Sequence, residues 1–274
     1  MLFRTFALTI FATMALTAHA SSTQFVLQGT SENDYRPALE TAVQRLATLL
    51  TIEPSALPPL TIVVNRSSSE SDTYQGPADL VLADDLLAKK QRGNETMASV
   101  VAHEACHLWL IELAKAQGLD QTKQGYLPSY GHSKFNDWFD ELVAVRCEQG
   151  DLATQRRATD FEFIPLAKYL VQTHPVYERM QAQINAALAA QKAKQNGKNG
   201  DQTVLKLTIK DDNFGDFYRQ SAYFAEFLTT LAVDLQLQDW LALAQHEDPE
   251  QIAKRLNFKN LSEMEQAFYQ FIPW

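Results

Sequence analysis

The chain has 274 residues, 46% of them hydrophobic and 21% charged, with 10 Gly, 10 Pro and 2 Cys. Such usage excludes collagen-like, disordered and disulfide-scaffold proteins and suits one domain, with two lobes at most. The formal net charge of −9 repels phosphate backbones and argues against a nucleic-acid partner.

Residues 1–20 carry Arg4 as their only charge besides the N-terminus, then an apolar run over 6–16, then Ala18-His19-Ala20. This is the pattern of a secretory signal peptide cleaved after Ala20. Thr9, Thr13, Thr17 and His19 keep it short of the about 20 consecutive apolar residues that a spanning helix needs. No Cys follows it for lipid attachment. The expected product, residues 21–274, is exported, periplasmic or secreted, with no stable membrane insertion.

A short strand is expected at 25–27 and a helix over 35–50, where Leu39, Val43, Leu46, Leu49 and Leu50 recur at helical spacing and Pro54 follows. Residues 60–64 form a β-branched strand behind Pro58 and Pro59. A polar loop over 67–76 leads to a short strand at 79–82. Asn94 is a suitable N-cap for a helix running to about Gln117, with Gly118 free to take the left-handed stop position. Its middle, 97–114, is apolar almost all round, which places it in the centre of the protein. After a Gly/Pro/Tyr loop over 118–134, helices are expected at 136–149, 165–172 and 175–194, the last long and polar. Residues 195–202 read as a flexible connector, 204–209 as a strand, and 214–271 as helical. The fold class is α+β, mainly helical, with a small N-terminal mixed sheet. One domain over 21–274 would comprise an α/β lobe to about residue 130 and a helical lobe from 131.

Inside the apolar helix stands His103-Glu104-Ala105-Cys106-His107. Two His at i and i+4 project from one face, so both imidazoles can reach one zinc at about 2.0–2.1 Å. Glu104 lies beside that face, where it can take a proton from water. Imidazoles and a carboxylate in an apolar helix are costly unless paired or metal-bound. The alternative is three polar residues satisfied by ordinary core hydrogen bonds. Cys106 and Cys147 leave two outcomes open: a disulfide, worth roughly 3 to 4 kcal/mol for a loop of about 40 residues, or two buried free thiols.

With Trp138, Glu141 and Ala144, the His-Glu-x-x-His run resembles the gluzincin metallopeptidases, whose second zinc helix supplies a glutamate. More narrowly it is similar to the aminopeptidase branch related to leukotriene hydrolase and to small bacterial peptidases with that core. The resemblance covers about residues 97–150 and 216–228 and implies a thermolysin-like zincin core. It implies one zinc held by His103, His107 and Glu141, with Glu104 as general base. Asp140, about 100° round the helix from Glu141, and His132 are the other candidate ligands. The resemblance places an acid at Glu148, two turns beyond Glu141, either supporting a ligand His from behind or lying on the surface. Where thermolysin-like enzymes tend to have an aspartate four residues after the ligand glutamate, this chain has Val145. A helix with a tyrosine near its start and a small residue after it is matched by Tyr218 and Ser221. That phenol would steady the oxyanion, with Tyr223 or a plain aromatic core as alternatives.

Two features depart from the family. The segment between His107 and Glu141 is longer than usual, and no Gly-x-Met-Glu-Asn signature precedes the motif, so aminopeptidase specificity is not implied. The strand at 79–82 could still be an edge along which an extended peptide pairs. The resemblance thus implies an exported zinc peptidase acting on peptide or protein substrates. Its competitors are an exported binding protein that keeps the metal without turnover, and a metal-free helical binding domain.

Overall fold

In the computed structural model the residues described are 24–29, 32–65, 67–83, 97–119, 133–176, 215–231, 234–245 and 248–274. Several expected features lie outside them: the signal peptide, the Asn94 cap, His132, all but the first residues of the 175–194 helix, the 195–202 connector and the 204–209 strand.

The chain begins with strand β1 (Phe25–Gly29), helix α1 (Glu32–Leu50), a single 3-10 turn (Pro54–Ala56) and strand β2 (Leu60–Asn65). Helix α2 (Ser68–Thr73) and strand β3 (Leu80–Ala83) follow. The three strands form one sheet in the order β1-β2-β3, with Phe25 opposite Leu60 and Ile62 opposite Leu80. Among the described residues both pairings are parallel, where a mixed sheet was expected. The reason is connectivity: a helix stands between each pair of consecutive strands, and strands joined through such crossovers run the same way. The second crossover helix, α2, falls where a polar loop was expected. It has no apolar stripe and starts on a side-chain cap, Ser67 Oγ accepting from the Glu70 amide. Gly29 ends β1 at φ +125°, where a Cβ would stand 2.0 Å from the Val64 carbonyl oxygen. Only glycine lets β1 pass β2 so closely there.

The rest of the described chain is helical: α3 (Met97–Ala116), α4 (Asp137–Cys147), α5 (Gly150–Arg156), α6 (Leu166–Tyr169), α7 (Gly215–Thr230), α8 (Leu237–Leu243), α9 (Pro249–Arg255) and α10 (Leu261–Phe271). The mainly helical α+β class is as expected, while the stretch over 214–271 is broken into four helices. Asp248 and Asn260 start two of them as side-chain N-caps. Among the described residues no helix is long and apolar enough to cross a membrane.

Helix α3 is central. It packs against α1, α4 and β2, and Val101, Ala102, Ala105, Cys106, Trp109 and Leu110 are fully buried. The Trp109 indole donates to the Pro58 carbonyl at 3.0 Å, fixing α3 to the segment that enters β2. Truncating such a side chain to alanine costs about 3–5 kcal/mol. Gly118, at φ +77°, takes the left-handed position just past the helix, as its place in the sequence suggested.

Helix α4 lies against α3, α1 and α7. Trp138, Phe139, Leu142 and Val143 are buried, and Trp138 meets Phe224 of α7 edge-on at 5.8 Å. A disulfide joins Cys106 of α3 to Cys147 at the end of α4, with Cα atoms 6.6 Å apart. Of the two outcomes the sequence left open, the structure has the disulfide. The bond sits beside His107 in sequence on one helix and beside Glu148 on the other.

Candidate metal centre

His103 and His107 lie one turn apart on α3, with Nε2 atoms 3.2 Å apart. Glu141 of α4 faces both: its Oε2 is 3.7 Å from His103 Nε2 and its Oε1 is 3.6 Å from His107 Nε2. One donor atom from each residue lies within 4.8 Å of the other two. Ligands at about 2.0–2.2 Å in a tetrahedral shell stand roughly 3.2–3.6 Å apart, so this triangle is the size a first-row metal needs. The His103-His107-Glu141 group could therefore hold a metal ion.

The outer nitrogens decide the chemistry of the inner ones. His107 Nδ1 is 2.9 Å from Asp140 Oδ1, and His103 Nδ1 is 3.0 Å from Glu148 Oε1. A carboxylate can only accept, so both Nδ1 atoms carry the proton and both neutral rings turn an Nε2 lone pair inward. Two lone pairs and a carboxylate oxygen facing one another repel unless a cation lies among them. Without a metal that cation is a proton. Burial opposes charge on His107, but Asp140, with Glu141 and Glu104 beyond it, pushes the imidazole up to about 10. Burial also opposes charge on Glu141, yet the hydrogen bond from His174 and the His107 and His103 rings hold its carboxyl down at about 2.

Each supporting carboxylate is anchored in turn. Asp140 Oδ2 accepts from the Ser133 amide at 3.0 Å. Glu148 takes the Arg156 guanidinium in two bonds, Nε to Oε2 at 3.0 Å and Nη2 to Oε1 at 3.1 Å. Burial would raise the Glu148 carboxyl, but the His103 bond and the Arg156 charge keep it below its ordinary range. Helix α4 stops at Cys147, not at Gln149, and Glu148 is extended at φ −61°, ψ 151°. The turn is pinned from two sides. The Gln149 amide donates to Ser99 Oγ of α3 at 2.9 Å, the Gln149 side chain donates to the Ala38 carbonyl of α1 at 2.6 Å, and Arg45 donates to the Glu148 carbonyl. Of the two positions considered for Glu148, surface and support, the structure has the second, with 1% of the residue exposed.

Asp140 is not in the donor triangle. The angular offset that separates it from Glu141 on α4 carries it to the far nitrogen of His107, a supporting position the sequence reading did not give it. His174, also missed, comes from the turn after α6. Its amide donates to Asp137 Oδ2 at 2.7 Å, and its Nε2 is 3.2 Å from Glu141 Oε1 and 3.0 Å from the Tyr218 hydroxyl. Its neighbours Thr173 and Pro175 carry no periodic signal, and only its residue type could have marked it.

Tyr218 lies near the start of α7, with its hydroxyl 3.0 Å from His174 Nε2. Because Glu141 can only accept, His174 Nε2 is the donor, and the phenol oxygen can share that N–H while keeping its own proton to give. Burial, then the Glu141 charge, raises the phenol well above its ordinary range, so it stays protonated. Ser221, one turn on, donates to the Phe217 carbonyl at 2.8 Å and lies 2.8 Å from the Tyr169 hydroxyl. Tyr223, the alternative phenol, donates instead to the Arg157 carbonyl and stacks on Phe161. It is turned away from the group.

Glu104 is half-buried and makes no side-chain hydrogen bond or ion pair among the described residues, though its charge reaches both His107 and Tyr218. His103 keeps 14% of its side chain exposed against 2% for His107 and Glu141, so the group opens to solvent on its His103 side. Compared with models of protein families, with curated proteins and with solved structures, the chain matches none of them.

Proposed function

We propose that the chain is an exported zinc-dependent peptidase of the gluzincin kind, with a thermolysin-like core. One observation carries the reading: two histidines a helical turn apart, each tied through Nδ1 to a buried carboxylate, turn both Nε2 atoms toward a third carboxylate. Histidine ligands backed in this way are the usual setting of catalytic zinc. Among the described residues three protein donors rather than four, with an opening beside His103, leave room for water and substrate, which a closed structural site does not. Zinc held there would polarise a carbonyl and lower the pKa of a bound water toward about 7.

The chain's own residues would do the rest. Glu104 stands one residue from His103, outside the bonds that hold the histidines, and is free to accept a proton from the attacking water and return it to the leaving amine. Tyr218 gives its proton as a hydrogen bond to negative charge developing on the carbonyl oxygen, with His174 fixing the phenol. Strand β3, at the edge of the sheet, offers backbone groups to an extended peptide. The hydrophobic start of the chain and the disulfide both suit an oxidising, exported setting.

The test is cleavage of an unstructured protein or a mixed peptide pool by zinc-loaded protein, against Glu104→Gln. New termini from the parent and none from a variant that retains zinc are expected. Equal cleavage by both proteins would remove Glu104 from the chemistry and the reading with it.

A further inference from the structure

Glu148 also lines a small cavity to which His103, His107 and Glu141 do not contribute. Four arginines meet there: Arg45 from α1, Arg146 from α4, Arg156 at the end of α5, and Arg157 just beyond it. Two carboxylates, Glu148 and Glu226, also line it, in a chain whose net charge is −9.

The acids are already engaged. Arg156 takes both oxygens of Glu148, and Arg157 grips Glu226 through Nε at 2.7 Å and Nη2 at 2.5 Å. Among the described residues neither carboxylate forms an ion pair with the other two guanidiniums, although the Glu226 charge favours both from a distance. Arg45 donates to main-chain carbonyls of Glu148 and Arg146, which satisfies hydrogens without cancelling charge. Arg146 has a buried Nε with no hydrogen-bond partner. Burial lowers both groups below the ordinary guanidinium range; at Arg45 the Arg146 and Arg157 charges add to it and outrank Glu226, while at Arg146 the Glu226 charge opposes it and Arg157 adds to it. A protein does not normally gather cations in a partly buried hollow without something between them, because desolvation and like charge add up.

We propose that this cavity is a binding site for one small anion, held chiefly by Arg45 and Arg146. Its volume of about 20 Å³ sets the size. One water-sized sphere needs about 10–15 Å³ on this measure, so the space encloses a halide or the end of a carboxylate and is too small to enclose a whole nucleotide or phosphorylated sugar. Guanidinium forks present several N–H groups to such an ion. The bound charge would relieve the repulsion around the turn that carries Glu148, and so stiffen the support of His103. The proposal stands whether or not the protein is a peptidase.

The test uses the full chain at constant ionic strength, set with sodium isethionate, whose anion is too bulky for the cavity. Sodium chloride and sodium formate are titrated in while the melting temperature is followed. The expected result is a saturable rise fitting one site, with the midpoint at least about tenfold weaker in Arg146→Gln, as loss of a charge-assisted hydrogen bond implies. Saturation by formate alone would identify a carboxylate as the occupant, and saturation by both any small anion. A response that never saturates, or one identical in parent and variant, would overturn the site. Should Arg146→Gln fail to fold, anomalous diffraction from bromide-soaked crystals of the parent decides. A bromide peak between the Arg45 and Arg146 guanidiniums, or formate there in crystals soaked with formate, supports the site, and the absence of both overturns it.

Discussion

The two walls of the candidate metal centre are built differently. On the α3–α4 wall the donors are locked: a disulfide joins the helices, and each histidine leans on a buried carboxylate that is itself bonded to Ser133 or to Arg156. On the α7 wall Tyr218 is held by a hydrogen bond to His174 and by the Arg156 guanidinium 4.3 Å above its ring, with no covalent tie. On the proposed function the difference separates two jobs. A metal shell must keep its geometry within a few tenths of an ångström, while a group that meets the reacting carbonyl can adjust as charge develops on it.

If that division holds, substitutions on the two walls fail in different ways. The largest effect is expected from Glu104→Gln, which should lower turnover by about 10²–10⁴-fold with zinc content unchanged; a steady-state assay beside metal analysis measures both. Tyr218→Phe should lower kcat by about 10²–10³-fold and again keep the metal. Loss of zinc in that variant would show that the α7 wall also builds the shell. The paired Cys106→Ser, Cys147→Ser protein should lose roughly 3 to 4 kcal/mol of stability in the chain-entropy view, read as a lower denaturant midpoint. Its zinc affinity should fall as well, because the released ends carry His107 and Glu148. Smaller still, Asp140→Asn and Glu148→Gln should each weaken zinc by about 10–100-fold without moving kcat of the loaded protein by a comparable factor. A chelator competition titration would show it.

What could be read from the sequence follows from distance along the chain. His103, Glu104 and His107 are legible because helical periodicity alone sets their mutual placement. Glu141 was legible through the surrounding Trp138 and Ala144. Asp140 is visible as its neighbour, but its place behind His107 is not, since the rotation of α4 against α3 depends on packing by Trp138, Phe139 and Leu142 that no local pattern reports. Helix periodicity puts Glu148 near the Glu141 face, yet α4 has ended by then, and it is the turn pinned by Ser99, Ala38 and Arg45 that swings it onto His103. His174 escaped notice because its place comes from tertiary contacts with Asp137 and Tyr218. In the sheet, β2 is legible as a β-branched run and β1 and β3 as short strands, while their parallel sense depends on α2, whose Ser-rich sequence lacks the apolar stripe by which a helix is recognised.

The most direct test of the central claim is the zinc content of the purified chain, prepared without chelator, beside His103→Ala. The account predicts one zinc per chain, lost in the variant while its circular dichroism stays helical. No zinc in the parent after reconstitution, or equal zinc in both proteins, would contradict it and leave His103, His107 and Glu141 as a proton-holding cluster.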